Sequence, residues 1–166
     1  MAESERRVCG GCTACCKTHG ILTLVPQKMP GKWCSHCEIG KGCRIYSVRP
    51  DECQTFRCDW LSGGAGKECH RPDRIRVVSE SREIPGIGTA LWMFEVSERA
   101  LEAPMIRHWT LNNFYKGNCV LHVPLHGNPR LYLSHKVPSI DRQFRLDADQ
   151  RMVDIIPFPE SIAAFI

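Results

Sequence analysis

Ten of the eleven cysteines in this 166-residue chain lie between Cys9 and Cys69, and only Cys119 falls outside. Thiolates are soft anionic ligands, and thiols set a few residues apart bind thiophilic metals. The first group is Cys9-Gly10-Gly11-Cys12-Thr13-Ala14-Cys15-Cys16. A two-residue gap lets a tight turn aim both sulfurs at one ion, and the small intervening residues leave the backbone free to wrap. Adjacent side chains diverge, so of Cys15 and Cys16 one is expected to ligate while the other serves a second site or packs. The second group is Cys34-Ser35-His36-Cys37, then Cys43, Cys53 and Cys58. Cys12, Cys15, Cys34 and Cys37 spell C-x2-C-x18-C-x2-C, within the spacing of a tetrahedral zinc site. Cys9, Cys12 and Cys15 also repeat the opening of a ferredoxin-type iron–sulfur run, whose fourth position is here His19 with no proline after it. Both readings stay open. More thiolates than one zinc ion needs tip the expectation toward an iron–sulfur cluster, with Zn2+ the alternative. The expected ligands come from Cys9, Cys12, Cys15, Cys16, Cys34, Cys37, Cys43, Cys53 and Cys58.

Other residues are set aside. Cys119 sits in an expected core strand, where a thiol packs as a small hydrophobe. Cys69, beside His70, stands outside the set. His36 is expected to face solvent or a ligand rather than the metal. His122, His126 and His135 lack a matching carboxylate and read as scattered surface histidines. No Ser–His–Asp motif, phosphate loop or dinucleotide fingerprint is present, so no catalytic residue is assigned.

Charge adds little. There are 22 basic and 18 acidic residues, and the densest basic stretch, Arg71, Arg74 and Arg76 with Lys67 upstream, is too thin to bring nucleic acid as a partner. The polar start gives no signal peptide, and no apolar run is long enough to span a membrane. A cytoplasmic location follows as the expectation. Thiols stay reduced there, and an odd cysteine count suits metal better than a disulfide framework. The expected partner is a metal ion or cluster, with a protein partner left open.

Cys9-x2-Cys12-x2-Cys15-Cys16, followed by Gly42-Cys43-Arg44-Ile45-Tyr46-x2-Arg49-Pro50-x2-Cys53-x2-Phe56, resembles the bacterial CxxCxxCC proteins, the YkgJ-like zinc- or iron-chelating family. The resemblance covers about residues 9 to 61. It implies metal chelation in a bacterial protein, with Cys12, Cys15, Cys16, Cys37, Cys43 and Cys53 matching the recurring cysteines. Cys9, Cys34 and Cys58 are additions, and Cys58-Asp59-Trp60-Leu61 is similar to the extension of a proteobacterial subgroup. Flagellin lysine N-methylases share the cysteine motif but are much longer. A cluster-dependent redox or group-transfer enzyme of methylase-like type is therefore one alternative. A zinc-scaffolded interaction module for protein or nucleic acid is another.

The elements that must position these thiols divide near residue 70. Residues 1–70 form the cysteine region, 71–137 a sheet with a helix, and 138–166 a tail that packs against the rest. In the first, Ile21, Leu22, Leu24 and Val25 are expected in a short strand before Pro26. Pro50 to Leu61 reads as a helix with Cys53, Phe56 and Trp60 inward, which leaves Cys58 off the stripe. Arg49 is placed to donate to a cluster sulfur or a carboxylate, and Tyr46 to cap the site. Farther on, Ile75–Ser79 and Thr89–Val96 read as a hairpin around Pro85 to Gly88. Pro104–Lys116 is a helix burying Ile106, Trp109 and Phe114, stopped by Gly117. Cys119–Val123 and Arg130–Ser134 form a second hairpin. The expected class is α+β: a cysteine-rich metal-binding module with a short helix, then a small antiparallel sheet with one packed helix.

Overall fold

The computed structural model describes residues 7–64, 68–143, 145–146 and 150–166. The polar start at 1–6 and Lys67 lie outside the described residues. The fold is α+β, with a cysteine-rich N-terminal region ahead of a larger sheet. In the first region, α1 (Cys15–Thr18) is followed by a two-stranded antiparallel ribbon of β1 (Cys37–Glu38) and β2 (Gly42–Cys43), then by α2 (Asp51–Thr55). A short helix α3 (Pro72–Ile75) leads into the hairpin β3 (Val77–Ile84) and β4 (Gly88–Glu95). Helix α4 (Pro104–Tyr115) precedes β5 (Cys119–Val123) and β6 (Arg130–Tyr132), and the tail supplies β7 (Asp154–Ile156) and α5 (Glu160–Ala163).

Both expected hairpins are present and antiparallel, with Val78 opposite Phe94 and Leu121 opposite Leu131. The five-stranded sheet as a whole is mixed, because β4 pairs parallel with β5 and β6 parallel with β7. A parallel neighbour needs a crossover, and α4 provides it between β4 and β5. Proline opens α4, where its missing N–H costs nothing, and Gly117, at φ 80°, turns the chain out of it.

Side chains alternate across the sheet with period two. Val77, Leu91, Met93, Val120 and Tyr132 face α4 and pack on Ile106, Phe114 and Phe165. Val78, Ala90, Phe94, Cys119, Leu121 and Leu131 face the other way. That second face is covered by the cysteine region itself, through Ala14, Cys58 and Trp60, so the two halves share one apolar cluster.

Three local expectations are corrected. The helix from Pro50 stops at Thr55, and Phe56 is already extended at ψ 129°. A lone helix of that length is marginal in water. The chain does better by spending its backbone on β3, where the Asp59 N–H donates to the Ser79 carbonyl at 2.8 Å and the Asp59 carboxylate accepts from the Ser81 N–H at 3.0 Å. Ile21 to Val25 is not a strand: Ile21 alone bridges to Lys28, and Val25 is 98% exposed. Ile75 closes α3, so β3 begins after Arg76, which takes the left-handed conformation at φ 58°. Among the described residues no helix is long and apolar enough to cross a membrane.

Candidate metal centre

Nine cysteines line one cavity of about 690 Å³ between the N-terminal turn, the β1–β2 ribbon and the segment after α2. They are Cys9, Cys12, Cys15, Cys16, Cys34, Cys37, Cys43, Cys53 and Cys58, and none is in a disulfide. Cys69 is exposed and Cys119 is buried in β5, both away from this cavity.

Backbone hydrogen bonds hold the segments in place. The Cys12 N–H closes a turn on the Cys9 carbonyl at 2.8 Å, and the Cys34 N–H reaches the Cys16 carbonyl at 3.0 Å. Cys37 and Cys43 are paired across the ribbon. The turn and the ribbon touch through Gly11, where an added Cβ would stand 2.6 Å from the Gly40 carbonyl oxygen. The Thr13 hydroxyl seals the same junction by accepting from the Gly40 N–H at 3.1 Å. With the helix ended at Thr55, Cys53 and Cys58 both reach the cavity, which an unbroken helix would have prevented.

The thiols form two groups linked through Cys9 and Cys16. Cys16 lies among Cys15 and Cys37, and the Cys15 thiol together with burial drives its pKa far up. Burial and the Cys16 sulfur push Cys37 to about 11. Burial, with Cys16, Cys34 and Cys43 nearby, pushes Cys53 to about 11. Cys16, rather than Cys12, is thus the N-terminal thiol beside Cys34 and Cys37. At the other end, burial raises Cys58, the Cys9 and Cys12 thiols add to it, and the Leu61 and Trp60 N–H groups pull it back. Burial raises Cys12 against N–H groups of Ala14 and Asp73 that favour its thiolate, and burial raises Cys9 against the guanidinium charges of Arg49 and Arg57.

A cation that the sequence did not advertise sits at the first group. Lys28 is 6% exposed, and its ammonium donates to the Lys17 carbonyl at 2.9 Å and to the His19 carbonyl. Burial lowers it to about 8, while Cys16, Cys34, Cys15 and Cys53 act in the opposite sense. A lone lysine in a loop gives no pattern that sequence reasoning could read.

Other expected participants are placed differently. Arg49 donates to the carbonyls of Tyr46 at 2.8 Å and Cys53 at 3.4 Å and stacks 3.9 Å over the Tyr46 ring, so it clamps the entry to α2. Tyr46, 59% exposed, lines the cysteine cavity together with Arg49. His19 is unavailable as a fourth ferredoxin-type ligand, since Nδ1 meets the Thr18 hydroxyl at 2.8 Å and Nε2 the Glu80 carboxylate at 3.3 Å. His122, expected at the surface, is buried beside the Thr110 hydroxyl, and burial pushes it down to about 3, leaving a neutral core residue. In the basic stretch, Arg71 pairs with Asp73 and both Arg71 and Arg74 pair with Glu68.

Among the described residues no three His, Cys, Asp or Glu side chains already stand at metal-holding spacing. The donor set nevertheless suits a thiophilic centre: soft, unpaired thiols converge on one cavity, with N–H groups and cations placed to stabilise thiolate. No family model matches the chain, and no curated protein or solved structure is significantly similar to it.

Proposed function

We propose that this is a cytoplasmic metal-binding protein whose cysteine cavity holds a thiolate-ligated centre, an iron–sulfur cluster in preference to Zn2+. The observation that carries this reading is the convergence of nine unpaired cysteines on one cavity, from four separate stretches of chain. Thiols kept only for packing have no reason to gather around open space. The buried Lys28 and the arginines near Cys9 and Cys12 supply positive charge where several thiolates would otherwise repel one another. The cavity is assigned metal binding and no catalytic step.

The test is the iron, acid-labile sulfide and zinc content of the full chain purified without oxygen. Iron with matching sulfide supports the cluster, and zinc alone supports the alternative. A chain that carries neither, and takes up neither on reconstitution while its thiols remain reduced, overturns the proposal.

A further inference from the structure

We infer that a second cavity, lined by no cysteine, binds a small apolar α-amino acid, with its ammonium group on Glu95 and its carboxylate on Arg151. This cavity encloses about 210 Å³ between the end of α1, the loop at Pro30 and Gly31, the end of β4 and the turn between β5 and β6. Glu95 and Arg151 both line it. Glu95 is only 7% exposed. Its carboxylate accepts from the Leu101 N–H at 3.4 Å and from the Leu125 N–H at 3.0 Å, and Leu125 lines the cavity as well. Among the described residues no Lys, Arg or His forms an ion pair with it. A carboxylate is costly to bury unless a cation meets it, and two neutral N–H donors use only part of its accepting capacity. An ammonium group in the cavity would bring the missing positive charge.

The same cavity carries the opposite charge. The Arg151 guanidinium donates from Nη1 to the Pro124 carbonyl at 2.8 Å and to the Gly127 carbonyl at 3.0 Å, which fixes it against the β5–β6 turn. A guanidinium matches a carboxylate in both charge and shape. The rest of the lining is mostly apolar, from Pro30, Phe94, Val123, Pro124 and Leu125. A plain amine would be attracted by Glu95 and repelled by Arg151, and a plain carboxylate the reverse. A zwitterion answers both charges, and a short apolar side chain suits the remaining walls. Size sets the upper limit, since sites for drug-sized ligands run to about 300–1,000 Å³ and this cavity is smaller. The cysteine region closes one side through Thr18 and Gly31, and the Gly31 N–H donates to the Lys17 carbonyl at 2.9 Å.

Calorimetric titration of the full chain with L-valine tests this, with isobutylamine and isovalerate as the same skeleton lacking one charged group each. L-Valine should bind saturably at a single site, and each analogue should bind more weakly by about tenfold or more. Glu95→Gln keeps an oxygen for the backbone N–H groups while removing the charge, and should weaken L-valine by about tenfold or more. Because Glu95 is buried, Arg151→Gln, at a half-buried position in the tail, is the second variant. It should weaken L-valine to a similar extent while leaving isobutylamine bound no more weakly than in wild type. Absence of saturable L-valine binding to folded wild type, wild-type L-valine affinity in either variant, or an analogue that binds as tightly as L-valine each overturns the inference. Metal content measured on the same samples is independent of these results, so failure here leaves the metal-binding reading intact.

Discussion

Replacing Lys28 with methionine should move two properties of the protein in opposite directions. The ammonium is buried, and its pKa falls from 10.5 to about 8. At 1.36 kcal/mol per pH unit, carrying that charge inside the metal-free protein costs ~3 kcal/mol. Below pH 8 the group is charged in both folded and unfolded chains, so that cost is fully present and is relieved only as pH rises from about 8 toward 10.5. Lys28→Met removes it, but leaves the carbonyls of Lys17 and His19 without their donor, a loss of ~1–3 kcal/mol. The metal-free variant should therefore be as stable as wild type at pH 7, or more stable by up to ~2 kcal/mol. Metal binding should weaken, because ionised Cys16, Cys34, Cys15 and Cys53 lose their compensating cation. A unit charge several ångströms away at an effective dielectric constant of ~20 is worth roughly 2 kcal/mol, or about thirtyfold in affinity. Urea denaturation of the metal-free chains and chelator competition for Zn2+ at pH 7 measure the two effects. An unchanged metal affinity, or a metal-free variant several kcal/mol less stable, would refute the compensating role and make Lys28 an ordinary backbone clamp.

Cys53→Ser should lower bound metal sharply, whereas Cys119→Ser, buried in β5 beside Ser134, should leave metal content unchanged and cost only ~1 kcal/mol in stability; metal per chain decides, and the reverse order would place the centre in the wrong half. Because Cys37 and Cys53 keep their protons up to about pH 11 in the metal-free protein, each must release one on ligation. Zn2+ affinity should thus rise about tenfold per pH unit for each such proton between pH 6 and 9, and a flat profile by chelator competition would exclude them as ligands. Gly11→Ala should force the N-terminal turn away from Gly40 and reduce metal retention, as read by dialysis against chelator, with wild-type retention counting against the close approach as a requirement. Stripping the metal should open residues 9–61 to protease and, because Ala14, Cys58 and Trp60 cover one face of the sheet, should also raise binding of an apolar dye; an unchanged digestion pattern would show that the region folds without metal.

The sequence by itself determined the local elements whose signals are short-range. Proline at the start and glycine at the end marked α4, and alternation with turn residues marked the β3–β4 and β5–β6 hairpins, because those choices are made within a few residues. The nine cysteines named from spacing and resemblance together also line one cavity. What only tertiary structure decided are the outcomes of competition between distant parts. The helix after Pro50 ended at Thr55 because Cys58 and Trp60 are worth more buried against β3 than aligned on a marginal helix. The sheet became mixed because α4 carries the chain over to a parallel partner for β4, and the tail added a fifth strand that no periodicity announced. Likewise, Cys16 rather than Cys12 met Cys37, and Lys28 came to rest among the thiols, through contacts between segments that sequence spacing does not encode. Hydrogen-bond geometry and hydrophobic pattern are local and can be read along the chain, whereas burial of a charge or a thiol depends on what the rest of the fold places over it.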